Sequence, residues 1–390
     1  MAIDDIVRRI HETPWLMVLV AAGGGSQAIA DLLKVPGASR TVLEARIPYC
    51  AASLKEWLGG PPEQACSEST ARAMAMAAFL RARELYLSEH PEGGNNVLVA
   101  GVSCTASLAT DRPKKGPHRI HVAVQRVEFT RSYSLVLNKG ARSRGEEEEV
   151  ARRLFLQGIA AACDVQFNEE IPLLTGESIE HRQAEAPPAW RSLLLGEVDA
   201  VSVGVPHDWE KGRPPLIFPG AFNPLHEGHL RMARLAEARL GRPVEFEISI
   251  LNVDKPPLNY VEMKHRVEQF SLQERVWLTR LPTFLEKARR FPGCTFVVGI
   301  DTLLRIADPR YYRHEPGLRD RAIAEISQLG CRFLVFGRVV QGRFVTLDEV
   351  DIPPQLRALC EGLRESEFRH DISSTEIRRT GQNPTQIPGV

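Results

Sequence analysis

The 390-residue sequence predicts an α/β protein of two domains. Apolar runs typical of buried strands alternate with helix-forming stretches in both halves, which is the pattern of an α/β fold. Proline and glycine are dense between residues 183 and 214, which indicates a boundary region. We therefore expect a three-layer α/β domain over 1–182 and a second domain over 215–390 with a mainly parallel sheet.

Composition excludes several classes of function. Acidic and basic residues balance at 49 each, so no nucleic-acid or membrane-surface partner is expected. No apolar run approaches the roughly 20 residues that cross a bilayer, and the amphipathic N-terminus does not have the pattern of a signal peptide. The seven cysteines are scattered without a C-x-x-C pair, which suits a reducing compartment. We expect a cytoplasmic protein, with a homo-oligomer left open.

The first half opens with an apolar strand at 15–20, followed by a glycine turn at 21–26 and a helix that ends near Leu33. The later elements predicted are a long helix over 68–86, strands over 96–102 and 119–124, and a helix from residue 144. The acidic run Glu146 to Glu149 falls in the first turn of that last helix, where acids are favoured. We interpret it as a solvated helix start.

Several short phrases of the first half follow one another in a fixed order: the glycine turn, 35–40, Tyr49, 67–75 and 101–105. Together they resemble the C-terminal domain of competence-damage proteins, the CinA type, a family that includes nicotinamide mononucleotide deamidases. The resemblance covers roughly the first 165 residues, and each phrase alone is loose.

The departures from that family concern its nucleophile. The family pattern S-x-T-G-G places its serine on Ala22 and its threonine on Gly24, and its later lysine falls on Leu54, with Lys55 one place late. An alanine methyl cannot attack an amide. The resemblance therefore implies a ligand-binding or structural relic of a deamidase. Two alternatives stay open, a phosphate cradled by the glycine turn and Ser26 as a displaced nucleophile.

The second half is organised around the stretch PGAFNPLHEGHL, residues 219–230. An apolar strand precedes it at 215–218 and a helix-forming run follows at 230–240, so the stretch forms a strand-to-helix turn. Open α/β sheets bind ligands at the carboxyl ends of such strands. Gly220 would let the backbone approach a ligand, and Asn223 with Pro224 marks a tight turn.

His226 and His229 lie three residues apart, which places them on one face of the first helical turn. The free N–H groups of a helix start attract phosphate, and two imidazoles add donors. A helix start without function is one alternative. A zinc pair is another, although no Cys or third His stands nearby and a helix N-terminus disfavours cations.

This stretch resembles the H-x-G-H signature of the nucleotidylyltransferase superfamily. It fills every fixed position of the version G-x-F-N-P-x-H-x-G-H, found in nicotinamide and nicotinate mononucleotide adenylyltransferases. The resemblance implies a Rossmann-like domain. The nucleotide-binding residues implied in this stretch are Gly220, Ala221, Phe222, Asn223, His226 and His229.

Two later strands end in polar residues at the same edge of the predicted sheet. An alternating strand at 244–250 leads to Lys255, which is either a phosphate contact or an exposed loop lysine. Gly299 and Asp301 match the family's G-x-D, where Asp301 either binds a ribose or base or caps the next helix. The family usually has a tryptophan further on, where this sequence has only tyrosines, so the acceptor stays open.

The string ISSTEIR at 372–378 matches the superfamily element I-S-S-T-x-I-R. In that element a helix start, serine and arginine hold the β- and γ-phosphates, which implies binding roles for Ile372, Ser373, Ser374 and Arg378. The alternative is a capping box of Ser373 with Glu376, which gives a stable helix start without a ligand.

The resemblance implies transfer of AMP from ATP to the phosphate of an acceptor, with pyrophosphate leaving. The phosphate of the acceptor is already ionised, so no general base is needed. The implied catalytic residues are His226, His229 and Arg378, and Mg²⁺ enters with ATP rather than through a protein metal site. A cytidylyltransferase, a phosphopantetheine-type adenylyltransferase and a non-catalytic nucleotide sensor are the alternatives.

Overall fold

A computed structural model describes residues 3–94, 97–112, 114–205, 214–251, 258–340 and 343–369, with Ser374, Ile377 and Arg378. The chain divides into two compact units. The first unit is Met1–Leu195 with Asp254–Met263, and the second is Gly196–Val253 with Lys264–Val390.

The first unit contains a mixed six-stranded sheet in the order β2-β1-β3-β4-β5-β6. Strands β2, β1 and β3 are parallel, and the remaining pairs are antiparallel. The strands are β1 (Leu16–Ala22), β2 (Val42–Arg46), β3 (Val99–Ser107), β4 (His118–Gln125), β5 (Phe129–Leu137) and β6 (Ile179–Glu185). The helices are α1 (Ile3–His11), α2 (Ser26–Lys34), α3 (Ala51–Leu58), α4 (Glu68–Glu89), α5 (Arg144–Ala162) and α6 (Pro188–Leu195).

Helix α4 lies directly on the sheet of the first unit. A Cβ on Gly101 of β3 would stand 2.1 Å from the carbonyl oxygen of Ala75, so only glycine allows this approach. Ala71 and Ala75 meet Ala123 of β4, and small residues are again what close contact requires. The other face of the sheet is covered by α1, α2 and α5, which confirms the predicted three-layer α/β architecture.

The second unit contains a seven-stranded sheet in the order β15-β12-β11-β8-β9-β10-β7. All neighbours are parallel except β7, which pairs antiparallel with β10. These strands are β7 (Ala200–Val203), β8 (Leu216–Pro219), β9 (Val244–Ser249), β10 (Val276–Thr279), β11 (Thr295–Gly299), β12 (Arg332–Phe336) and β15 (Cys360–Gly362). A separate hairpin joins β13 (Arg338–Val340) and β14 (Arg343–Val345). The predicted mainly parallel sheet is confirmed.

Helices follow most of these strands and cover both faces. They are α7 (Glu227–Leu240), α9 (Phe284–Arg290), α10 (Ile300–Ala307), α11 (Pro316–Gln328) and α12 (Pro354–Arg357). A further helix, α8 (Tyr260–Val267), begins in the first unit and ends in the second. Successive residues of a strand face opposite ways. Accordingly Ile217 joins a core with α9, α10 and α11, whereas Phe218 stacks on Phe246 on the face that α7 covers.

The region expected as a boundary, 183–214, holds the end of β6, helix α6 and strand β7, and the division between the units falls after Leu195. All seven cysteines lie within the described residues and are free thiols. Within those residues, every helix is too short or too polar to cross a membrane.

The interior strand β9 carries two buried carboxylates. Glu245 and Glu247 are each 1% exposed. The Nε1 of Trp277 donates to Glu245 at 2.6 Å, and the Nζ of Lys287 donates to Glu247 at 2.7 Å. Thr279 also donates to Glu247. The alternation of apolar and acidic residues along β9 therefore does not distinguish a buried face from a solvent-exposed face, because helices cover both faces of a parallel sheet.

Candidate active site

The turn that carries the histidines leaves the carboxyl end of β8, between β9 and β11. The N–H of Gly220 donates to the carbonyl of Glu247 in β9 at 2.9 Å, so the turn starts as an extension of the sheet. The Asn223–Pro224 peptide bond is cis, and Phe222 has a positive φ of 43°. The chain then enters α7 at His226, its N-cap residue.

The two histidines form a stacked pair. Their ring centroids are 3.7 Å apart and their planes meet at 24°, which confirms the predicted common face. The backbone N–H of His226 donates to Nδ1 of His229 at 3.3 Å. Because Nδ1 accepts, the neutral imidazole of His229 carries its proton on Nε2, which becomes the available donor. His226 is 9% exposed and His229 is half-buried.

The side chain of Phe222 packs against His229. Its ring is 1% exposed and meets His229 edge-on at 5.1 Å between centroids. Because the Phe222 ring is buried, only the backbone of this residue could contact a nucleotide. Gly220 is explained by the same ring, because a Cβ there would stand 2.5 Å from it. This reason differs from the expected close approach to a ligand.

Two residues of the C-terminal motif contact this turn. The Oγ of Ser374 donates to the carbonyl of Pro224 at 3.0 Å, and the guanidinium of Arg378 donates to the carbonyl of Asn223. The two motifs, far apart in sequence, are therefore in contact within the second unit. Ile372, Ser373 and the expected capping box lie outside the described residues, as does Lys255.

Gly299 and Asp301 stand at the carboxyl end of β11, the strand beside β8. The N-cap of α10 is Gly299, and Asp301 is in the first turn, so the expectation that Asp301 caps this helix is wrong. Its Oδ2 instead accepts from Nη1 of Arg338 at 3.0 Å. Because Asp301 remains about half exposed, at 46%, its carboxylate still faces solvent at this edge.

Sequence reasoning missed two residues at this edge, Arg338 and Gln269. Arg338 belongs to the β13–β14 hairpin, and Gln269 hydrogen-bonds the backbone of the histidine turn. Neither lies in a recognisable motif, and both reach the site only through tertiary structure.

A cavity of about 470 Å³ runs along α7, lined by Leu225, Leu230, Phe246 and Gln269 among others. His226, His229, Ser374 and Arg378 are not part of its lining. The donors that could bind a phosphate therefore lie at the stacked histidines and the start of α7 rather than in this cavity.

The glycine turn of the first unit is poorly suited to bind a phosphate. The N–H of Gly25 donates to Glu148 Oε1 at 2.8 Å, so this donor is already used by a carboxylate. Gly24 is buried, and a Cβ there would stand 2.7 Å from Leu108. A phosphate would meet the negative charge of Glu148, so the expectation of a phosphate cradle is wrong.

The acidic run of α5 is also not simply solvated. Glu147 is fully buried, and its two oxygens accept from Nδ1 of His118 at 2.6 Å and from the N–H of Ala109 at 2.6 Å. Ala22 ends β1 at 8% exposure, and Ser26 opens α2 with an exposed side chain.

Comparison with known proteins defines the class of the second unit. A family model described as cytidylyltransferase-like matches residues 217–380. A probable nicotinate-nucleotide adenylyltransferase of Gloeobacter violaceus is 32% identical over 179 residues, which are 42% of this chain and 81% of that relative. The chain belongs to the nucleotidylyltransferase family and is a nucleotidylyltransferase enzyme.

Solved structures of the competence-damage family resemble the N-terminal half. The competence/damage-inducible protein CihA of Agrobacterium tumefaciens is 22% identical with a TM-score of 0.31, covering 41% of this chain and 94% of that one. A CinA superfamily protein of Escherichia coli is 15% identical with a TM-score of 0.29, covering 40% of this chain and 88% of that one.

Proposed function

We propose that the protein transfers AMP from MgATP to nicotinate or nicotinamide mononucleotide and releases pyrophosphate. The observation that carries the proposal is the stacked pair His226 and His229 at the start of α7. The turn that leads into this helix also accepts hydrogen bonds from Ser374 and Arg378. The name of the relative from Gloeobacter violaceus supports a nicotinate mononucleotide acceptor.

In this mechanism the phosphate of the acceptor attacks the α-phosphate of ATP. An oxygen–phosphorus bond forms there as the bond to the pyrophosphate breaks. The N–H groups of the first turn of α7 and the Nε2–H of His229 donate to the phosphate oxygens where charge develops. His226 supplies the second imidazole. The step needs positioning and charge stabilisation rather than a base.

Ser374 and Arg378 would hold the leaving pyrophosphate, with the help of Ile372 and Ser373. A guanidinium suits this role because it donates in a planar fork to two oxygens at once. Asp301 at the neighbouring strand end would accept from ribose hydroxyls, and Lys255 would add a further cation to the phosphates.

Mg²⁺ would arrive as part of the substrate MgATP. Among the described residues there is no group of three or more His, Cys, Asp or Glu side chains with metal-binding geometry. The proposal does not require such a group, because Mg²⁺ in nucleotide sites binds mainly to phosphates and water.

The alternative functions differ in what they would require of the histidine turn. A cytidylyltransferase or a phosphopantetheine-type adenylyltransferase would use the same turn, because it contacts phosphate rather than base. A non-catalytic sensor would use the same Nε2–H of His229 to bind phosphate, so only a measurement of turnover separates it from an enzyme.

The test is steady-state pyrophosphate release with ATP and CTP in parallel, against nicotinate mononucleotide, nicotinamide mononucleotide and phosphopantetheine. We expect the highest kcat/KM for ATP with a pyridine mononucleotide. A preference for CTP or phosphopantetheine would reassign the substrate, and no release with any pair would favour the sensor.

A further inference from the structure

Gln269 holds the histidine turn at two points. Its Oε1 accepts from the N–H of Leu225 at 2.8 Å, and its Nε2 donates to the carbonyl of Phe222 at 2.9 Å. These backbone groups flank Asn223 and Pro224, so one side chain closes the turn across its tip. The same Nε2 lies 3.3 Å from the carbonyl of Arg266, which fixes the amide against the end of α8.

The neighbouring residue supports the same turn from its apolar side. The ring of Phe270 meets Phe222 edge-on at 5.4 Å and packs on Phe246 at 4.7 Å. Phe222 in turn contacts His229. The pair Gln269 and Phe270 therefore fixes both the backbone of the turn and the ring beneath the histidines.

This arrangement matters because the turn ends at His226. The backbone N–H of His226 follows Leu225 directly and sets the tautomer of His229 by donating to its Nδ1. Any shift of Leu225 moves this donor. A misplacement of about 1 Å in a positioned group can cost about a hundredfold in rate.

We propose that Gln269 is a positioning residue for nucleotidyl transfer, which acts by holding the turn so that His226 and His229 stack with Nε2–H of His229 available. It touches neither substrate nor phosphate. The kinetic part of this inference rests on the proposed function, whereas the structural part does not.

The glutamine amide is required in both of its roles. Gln269→Met keeps the length and removes both hydrogen bonds. Gln269→Glu keeps an acceptor for Leu225 but, when ionised, points a carboxylate at the carbonyl of Phe222. A protonated glutamic acid could donate again, so the activity of this variant relative to wild type should rise as pH falls.

The matched control is Gln273→Met. Gln273 is exposed and lines the same cavity, and no hydrogen bond joins it to the turn in the described structure. Gln269→Met should lower kcat by about tenfold to a hundredfold, with the KM of the acceptor changed less than about threefold. Gln273→Met should leave both constants unchanged.

An amide-exchange measurement on the intact protein gives a readout that does not need turnover. In Gln269→Met the amides of Leu225 and His226 should exchange faster, while those of the sheet keep their protection. Unchanged exchange at Leu225, or wild-type kcat in Gln269→Met, would overturn the proposal. If wild type transfers no nucleotide to any acceptor, the proposed function fails, and the exchange experiment still decides the role of Gln269.

Discussion

A stacked pair of imidazoles, His226 and His229, is the residue-scale feature on which the proposed mechanism rests. The spacing of His226 and His229 is enough to predict a common face, because residues three apart are neighbours on a helix. Sequence does not give the tautomer. That follows from the His226 N–H, which only the folded turn directs at Nδ1 of His229.

His229→Ala should lower turnover by at least about a hundredfold, the scale of losing one preorganised donor, while the thermal unfolding midpoint stays near that of wild type. The matched control is His265→Ala, which removes an exposed histidine from α8. The measurement is kcat under saturating substrates. Wild-type turnover in folded His229→Ala would remove the histidine from the mechanism.

A buried histidine of the first unit, His121, predicts a pH dependence of stability. Burial, with Arg119 and Arg72 nearby, lowers the pKa of His121 from 6.5 to about 4. Its Nδ1 lies 2.8 Å from Ser134 Oγ. Between pH 6.5 and about 4 the unfolded chain binds this proton and the folded chain does not, so stability present above the unfolded pKa is lost as pH falls.

His121→Gln should flatten the fall of the unfolding free energy between pH 6.5 and 4, measured by denaturant titrations at several pH values. The exposed His90 provides the control substitution His90→Gln, which should leave the slope as in wild type. Equal slopes in His121→Gln and wild type would contradict the inference.

At the scale of elements, strand β9 shows what periodicity cannot predict. The alternation over 244–250 is real, yet Glu245 and Glu247 on the second face are buried and paired. Lys287, which pairs with Glu247, lies on α9, forty residues later in the chain. The sequence contains both residues, but only the packing of α9 on the sheet brings them together.

Lys287→Met should destabilise the protein by about 3–5 kcal/mol, because it leaves Glu247 as a buried charge without its cation. Lys264→Met removes an exposed helical pair with Glu268 at 3.7 Å and should cost less than about 1 kcal/mol. Both values come from denaturant unfolding. A loss below about 1 kcal/mol for Lys287→Met would mean that the buried pair contributes nothing. The double variant Glu247→Leu with Lys287→Met should recover much of the loss.

Elements with a strong pattern were predictable, and edge elements were not. The strands β1, β8 and β9 and the helices α4, α5 and α7 follow from apolar runs and helix formers in sequence. The strand β6 did not, because it is a polar strand at a sheet edge that depends on pairing with β5. Gln269 was missed for the same reason, since its partners lie more than forty residues away.

At the scale of the whole molecule, the two units differ in whether the structure brings the residues of their sequence motifs together. In the second unit, Ser374 and Arg378 of the C-terminal motif hydrogen-bond the histidine turn. In the first unit, Ala22 stands where the resemblance to competence-damage proteins would place a serine, and the N–H of Gly25 in the glycine turn donates to Glu148. The glycines could be recognised from sequence, but the carboxylate that fills their turn comes from α5 and could not.

We expect the intact protein to release no ammonia from nicotinamide mononucleotide, because Ala22 stands where the resemblance to deamidases would place the nucleophilic serine and an alanine methyl cannot attack an amide. Ala22→Ser should not restore release, since the N–H of Gly25 remains bound to Glu148. A coupled assay for ammonia measures both. Release that Ser26→Ala abolishes would show that the nucleophile had moved to Ser26.

The fate of the phosphates of ATP tests the central claim most directly. The intact protein is incubated with nicotinate mononucleotide and ATP labelled at the α- or the γ-phosphate, and the products are separated. Attack at the α-phosphate predicts α-label in a dinucleotide and γ-label in pyrophosphate, with both lost in His229→Ala. The appearance of ADP, or of γ-label as inorganic phosphate without a labelled dinucleotide, would contradict nucleotidyl transfer at the paired histidines.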